Sequence, residues 1–126
     1  MATEIEIPRA KLTSYRASAL RRRERDKAEV DRRRERAWEL ARQAAFLLKE
    51  EFGASRVVVF GSLALDSGFT RWSDVDLAAW EIAAEDTFRA IGAVMDLGQE
   101  IAVNLVDVNT ARPSLLAAIQ KDGIDI

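Results

Sequence analysis

Hydrophobic and polar positions divide the chain into a long helical stretch and a β-rich remainder. Between Pro8 and Gly53 there is neither proline nor glycine, and Ala, Leu, Glu, Arg and Lys dominate. That composition predicts one nearly continuous helix over about residues 9–52, with Gly53 as its stop. Its final part is amphipathic. Trp38, Ala41, Ala45, Leu48 and Phe52 recur at helical spacing, and Leu40, Ala44 and Leu47 widen the stripe. Such a face is expected to pack on a sheet.

Past Gly53 the period changes. The run Val57-Val58-Val59-Phe60 reads as a buried strand over about residues 56–60, ending at Gly61-Ser62. A short helix is expected over about residues 62–65, with its amides turned toward an anion. A loop over residues 66–72 follows, and then a second strand over about 74–80. A helix over about 84–97 should bury Phe88, Ile91 and Met95, with Ala90 and Val94. A third strand is expected over 101–108. The last helix should start at Pro113, turn Leu115, Leu116 and Ile119 inward and stop at Gly123. The order implies a small α/β domain. The expected division is a charged helical extension over residues 1–36 and a compact domain over 37–126.

Segment 21–36 lacks the amphipathic stripe, holding eight arginines and one lysine against five acids, with Val30 its only sizeable apolar residue. It reads either as a basic surface for RNA or an acidic partner, or as a solvated helix laced by pairs such as Arg22–Asp26, Arg25–Glu29 and Glu29–Arg33. The interleaved acids favour the solvated helix. A helix polar all round projects from the body or meets another subunit, so an oligomer contact or a partner contact through this arm is expected. Leu12, Tyr15 and Ala19 give its far end a small apolar patch.

Charge sharpens the division. Residues 1–52 carry fourteen Lys/Arg against ten Asp/Glu, residues 53–126 five against eleven, and the whole chain is −2. The overall sign gives no support for nucleic-acid binding. No stretch of about eighteen apolar residues exists to span a membrane, and the first eight residues lack the layout of a signal peptide. Cysteine is absent, which excludes disulfides and thiol chemistry and suits a cytoplasmic protein. Histidine is absent too, removing the usual general base and zinc ligand. Any catalysis must rest on carboxylates and a metal.

Asp74 and Asp76 are the candidates. Alternate residues of a strand share a face, so the two carboxylates should stand side by side while Val75 and Leu77 turn away. Adjacent carboxylates repel unless a cation lies between them, and Mg²⁺ prefers oxygen ligands. Gly61 lets backbone approach a ligand closely, and Ser62 adds a hydroxyl beside exposed amides. A phosphate-cradling turn beside a carboxylate pair describes a nucleoside-triphosphate site. Arg71, in the intervening loop, could contact phosphate or merely decorate the surface; Trp72 is expected to pack beneath that loop.

Phe60-Gly61-Ser62 with Ser73-Asp74-Val75-Asp76-Leu77 resembles the Gly-Ser…Asp-x-Asp signature of the nucleotidyltransferase superfamily that includes DNA polymerase beta, and within it the minimal nucleotidyltransferases. The resemblance runs from Val57 to about the C-terminus, and the spacer holds eleven residues where ten is common. It implies a small nucleotidyltransferase fold, with a short mixed β-sheet flanked by helices. It also implies the antitoxin of a type VII-like toxin–antitoxin pair, moving AMP from ATP to a hydroxyl, with tyrosine the expected acceptor, of a HEPN ribonuclease toxin. Asp74 and Asp76 would then hold Mg²⁺, while Gly61, Ser62 and Arg71 would contact ATP.

One departure stands out. The family's third acidic position, on the third strand, corresponds to Asn104. Asp107 cannot replace it in a regular strand, because three residues on it faces the other way. An amide oxygen can ligate Mg²⁺ but cannot accept a proton at neutral pH. Either a tyrosine acceptor, with pKa about 10, needs so little help that transfer survives, or the chain neutralises its toxin by binding alone.

Overall fold

The computed structural model describes residues 8–66 and 68–126, so the first seven residues of the expected extension lie outside the described residues. Helix α1 (Arg9–Phe52) is unbroken across residue 36, and its burial begins at Ala37. Gly53 ends it at φ +71°, a left-handed conformation that glycine adopts without cost, and the Gly53 and Ala54 amides both donate to Leu48 O. Ala37, Leu40, Ala41, Ala44, Ala45 and Leu48 are the buried positions. Ala41, Ala45 and Leu48 of the expected stripe are thus buried together with the flanking Leu40 and Ala44 and with Ala37, while Trp38, Leu47 and Phe52 are half-buried at its margins. Small alanines let α1 approach the sheet closely, and each fully buried leucine contributes roughly 1.5–3 kcal/mol.

Four strands form one sheet in the order β3-β2-β1-β4. Strand β1 (Arg56–Phe60) pairs antiparallel with β2 (Val75–Trp80), which pairs parallel with β3 (Val103–Asp107). The parallel pair is connected by helix α2 (Thr87–Leu97), as a crossover requires. Val57, Val59, Val75, Leu77 and Val103 face α1 and α2. Val58 and Ala78 face helix α3 (Pro113–Asp122) through Ile119.

Several expectations are corrected. After Phe60 there is no helix to 65, only a 3₁₀ turn over Gly61–Leu63, too short to present an anion site of its own. Residues 84–86 are a separate 3₁₀ turn ahead of α2. On α2, Ala90 and Val94 are the buried residues, whereas Phe88 is 87% and Met95 56% exposed. With the sheet on one side only, α2 buries one narrow stripe, and those two residues lie outside it. Trp72 is 82% exposed and supports no loop from beneath. A fourth strand, β4 (Ile124–Asp125), pairs with β1 after Gly123; two residues carry no periodicity by which to anticipate it. Arg56 fixes it in place, its Nε and Nη2 donating to the two Asp125 carboxylate oxygens at 2.6 and 3.1 Å.

Candidate functional site

Strand register brings the acidic residues together. Phe60 pairs with Asp76 across β1–β2, and Asp76 pairs with Asn104 across β2–β3. These three form one row on the α3 side of the sheet, and Gly61 follows Phe60 at the strand end. Asp74 lies immediately before β2. Asp107 pairs with Ala79, whose face carries Leu77 and Val75 toward α1 and α2. It is therefore turned away from Asn104 and cannot join Asp74 and Asp76. It caps the following turn instead, its carboxylate accepting from Asn109 N at 3.0 Å.

Asp76 is half-buried, and Asn104 Nδ2 donates to its Oδ1 at 3.3 Å. Burial is the main cause that raises the Asp76 pKa above the ordinary carboxylate value; the Asn104 hydrogen bond opposes it and the Asp74 charge adds to it. Its second oxygen is enclosed by Gly61. A Cβ at residue 61, which has φ +71°, would come within 2.7 Å of Asp76 Oδ2. Glycine is thus required there twice, by conformation and by space. A half-buried carboxylate beside a second one, with a side chain missing where a ligand would approach, is a donor set that fits a hard divalent cation. Among the described residues no third Asp, Glu, His or Cys joins the pair. Asn104 could add an amide oxygen only by turning its Nδ2 away from Asp76.

The loop preceding the pair is tied to α1. Arg33 donates from Nη2 to Ser73 O at 3.1 Å and from Nη1 to Glu100 O at 3.5 Å, joining the backbone just before Asp74 to the backbone that leads into β3. Arg34 lies 3.7 Å from Asp66, and Arg71 lies 3.5 Å from Asp26. Within the loop, Ser73 Oγ accepts from Thr70 N at 2.9 Å and Thr70 Oγ1 accepts from Trp72 N at 3.2 Å. Part of the arginine-rich segment therefore braces the loop. The expected pairs Arg22–Asp26, Arg25–Glu29 and Glu29–Arg33 are absent among the described ion pairs; Asp26 and Arg33 have partners across the fold instead, and the absence of Arg25–Glu29 has no structural explanation. This brace was missed from sequence: nothing local marks Arg33 among eight arginines as the one that meets two carbonyls.

A wide groove lies elsewhere. Of about 940 Å³, it runs between α2 and the start of α3, with Phe88, Ile91, Leu105 and Leu115 among its apolar walls. It does not include Asp74, Asp76, Gly61 or Ser62.

No protein-family model matches the chain, and no curated protein matches it. Among solved structures, the chain is similar to two toxin–antitoxin MntA-HpeT mutants. One carries two aspartate-to-glutamate changes two positions apart, with 17% identity, TM-score 0.55, and coverage of 68% of this chain and 70% of that one. The other carries a tyrosine-to-alanine change, with 19% identity, TM-score 0.54, and coverage of 68% and 69%. The likeness is one of fold, and the fold is the nucleotidyltransferase fold that the Gly-Ser…Asp-x-Asp resemblance implies.

Proposed function

We propose that this chain is the antitoxin of a toxin–antitoxin pair and transfers AMP from ATP to a tyrosine hydroxyl of a HEPN-family toxin. The observation that carries the reading is the pairing of Asp76 with Asn104 in one row, with Asp74 immediately before β2, beside the side-chain-free turn at Gly61. The solved toxin–antitoxin neighbours support the partner class. One of those mutants alters an aspartate pair with the spacing of Asp74 and Asp76, and the other alters a tyrosine.

Asp74 and Asp76 would hold Mg²⁺, which when bound neutralises phosphate charge and polarises the reacting phosphoryl group. Gly61 leaves the space through which a phosphate approaches Asp76, and Ser62 offers its hydroxyl at the same turn. The acceptor oxygen forms its bond to the α-phosphorus as the bond to the bridging oxygen breaks, and pyrophosphate leaves. Asn104 cannot take the acceptor's proton. That favours a phenol, with reference pKa about 10, over a serine or ribose hydroxyl, its proton passing to water. Positioning and charge stabilisation then carry the step. Arg71 is engaged with Asp26 and must leave it to meet phosphate.

A second reading has its own observation. Asn104 supplies an amide where a carboxylate would complete the site, and it spends a donor on Asp76. The chain would then neutralise its toxin by contact alone. Intact mass of the helical protein encoded beside this gene, after incubation with this chain, ATP and Mg²⁺, separates the two. Added AMP that is lost in Asp74→Asn or Asp76→Asn supports transfer. No added mass, with a tight complex still formed, leaves the binding antitoxin; restored transfer in Asn104→Asp would locate the defect at that residue.

A further inference from the structure

The outer part of α1 makes no side-chain hydrogen bond or ion pair with the rest of the fold among the described residues. Asp26, paired with Arg71, is the first residue from its N-terminal end to do so. The segment 9–25 before it holds seven Lys/Arg and a single acid, Glu24, whereas residues 37–126 hold seven Lys/Arg against fourteen Asp/Glu. Charge is therefore segregated along the chain, about +6 on the free arm and −7 on the body. The arm is not uniformly polar. Leu12, Tyr15 and Ala19 fall at i, i+3 and i+7 on one face, with Leu20 adjoining them, and Leu12, Tyr15 and Leu20 are 38%, 61% and 55% exposed. A surface for nucleic-acid phosphates needs the cations but not an apolar stripe running between them.

The body carries a complementary feature. The groove between α2 and α3 is lined by the apolar Phe88, Ile91, Leu105 and Leu115 and by one charge of each sign, Asp107 and Arg112, and Phe88 is almost fully exposed. An unbroken helix cannot fold back on its own body, and at 1.5 Å per residue segment 9–25 extends roughly 25 Å beyond Asp26. We propose that this arm docks on the body of a second copy of the chain, placing Leu12 and Tyr15 in the α2–α3 groove while its arginines face the acidic surface. A two-fold axis makes the exchange reciprocal, each arm occupying the other copy's groove. Two helical contacts about 25 Å long and about 10 Å wide bury on the order of 1,000 Å², enough for a specific interface. Opposite net charges draw arm and body together, and apolar insertion fixes the register.

Light scattering on the full chain at about 50 µM tests this. In 100 mM NaCl the expected mass is twice the 14.1 kDa of one chain, falling toward one chain in 500 mM NaCl. Tyr15→Glu and Phe88→Glu, both at exposed positions and so expected to melt like the wild type, should each abolish the dimer. Mixed together, the two variants should regain a weaker dimer through one of the two contacts, because the intact arm of one fits the intact groove of the other. A monomeric wild type at low salt, a dimer indifferent to either substitution, or a mixture that stays monomeric overturns the proposal. Assembly that appears only on adding RNA, or only with the neighbouring helical protein, overturns it as well.

Discussion

Asn104 stands directly beside Asp76 in the parallel β2–β3 register, and its Nδ2 donates to Asp76 Oδ1 at 3.3 Å. The amide thus occupies a lone pair that a cation would use, and it adds no charge. Asn104→Asp should tighten Mn²⁺ or Mg²⁺ binding on the order of tenfold, about 1.4 kcal/mol. Without metal, the same change sets a third carboxylate beside the pair and should lower stability by roughly 1 kcal/mol at the water-like limit. Isothermal calorimetry and thermal melts in EDTA read the two effects. Neither tighter metal binding nor a metal-free penalty would mean that residue 104 does not adjoin the pair in solution.

The raised pKa of Asp76 has a definite sign in stability. The folded state holds this proton more tightly than the unfolded chain does. The fold is therefore favoured at low pH and loses stability as pH climbs from the unfolded value of 3.8 through the raised folded value. At pH 7 in EDTA, Asp76→Asn should melt higher than the wild type, and the gap should close as pH falls toward 4. Added Mg²⁺ should reverse the order, raising the melting temperature of the wild type only. In a domain of this size, 1 kcal/mol corresponds to roughly 4 °C.

Legibility followed the range of each signal. Helix α1, β1 and α3 were readable to within a residue because composition and glycine or proline stops mark them locally. The place of residue 104 beside Asp76 was implied by the family resemblance, and the turn of Asp107 to the opposite face followed from period-2 alternation along the strand. What failed was burial on α2. Phe88 and Met95 are apolar and at helical spacing, yet α2 has the sheet on one side only, so a wide hydrophobic stripe exceeds what the fold can cover. Trp72 misled for a related reason, since size alone suggested packing. The Arg33 contacts reach 40 and 67 residues along the chain, to backbone carbonyls that no side-chain pattern reveals.

Gly61 offers a test of the turn itself. Its φ of +71° strains any residue with a Cβ, and that Cβ would crowd Asp76 Oδ2 at 2.7 Å. Gly61→Ala should cost about 1–2 kcal/mol from backbone conformation. It should also displace the Asp76 carboxylate and weaken Mn²⁺·ATP binding. Gly92→Ala, where nothing lies within 4 Å of an added Cβ in the middle of α2, should instead be neutral or stabilising by up to about 1 kcal/mol. Equal melting temperatures for the two variants would remove the steric argument at residue 61.

Arg33 joins the backbone before Asp74 to the backbone before β3, through Ser73 O and Glu100 O. A charged donor in a part-buried contact is worth about 1.5–3 kcal/mol, and its loss leaves Ser73 O without that partner. Arg33→Ala should therefore lower stability by about that amount. Because the two backbones it joins carry Asp74 and Asn104, the variant should also weaken Mn²⁺·ATP binding at temperatures well below its melt. Arg33→Lys should recover part of both, since an ammonium can reach one carbonyl but lacks the planar fork that spans two. Arg36 sits one helical turn on in an exposed pair with Glu39 at 3.0 Å, and Arg36→Ala should cost no more than about 1 kcal/mol. Should Arg33→Ala lose stability while its metal–nucleotide affinity stays at the wild-type value, the brace supports the fold and has no part in positioning Asp74 and Asp76.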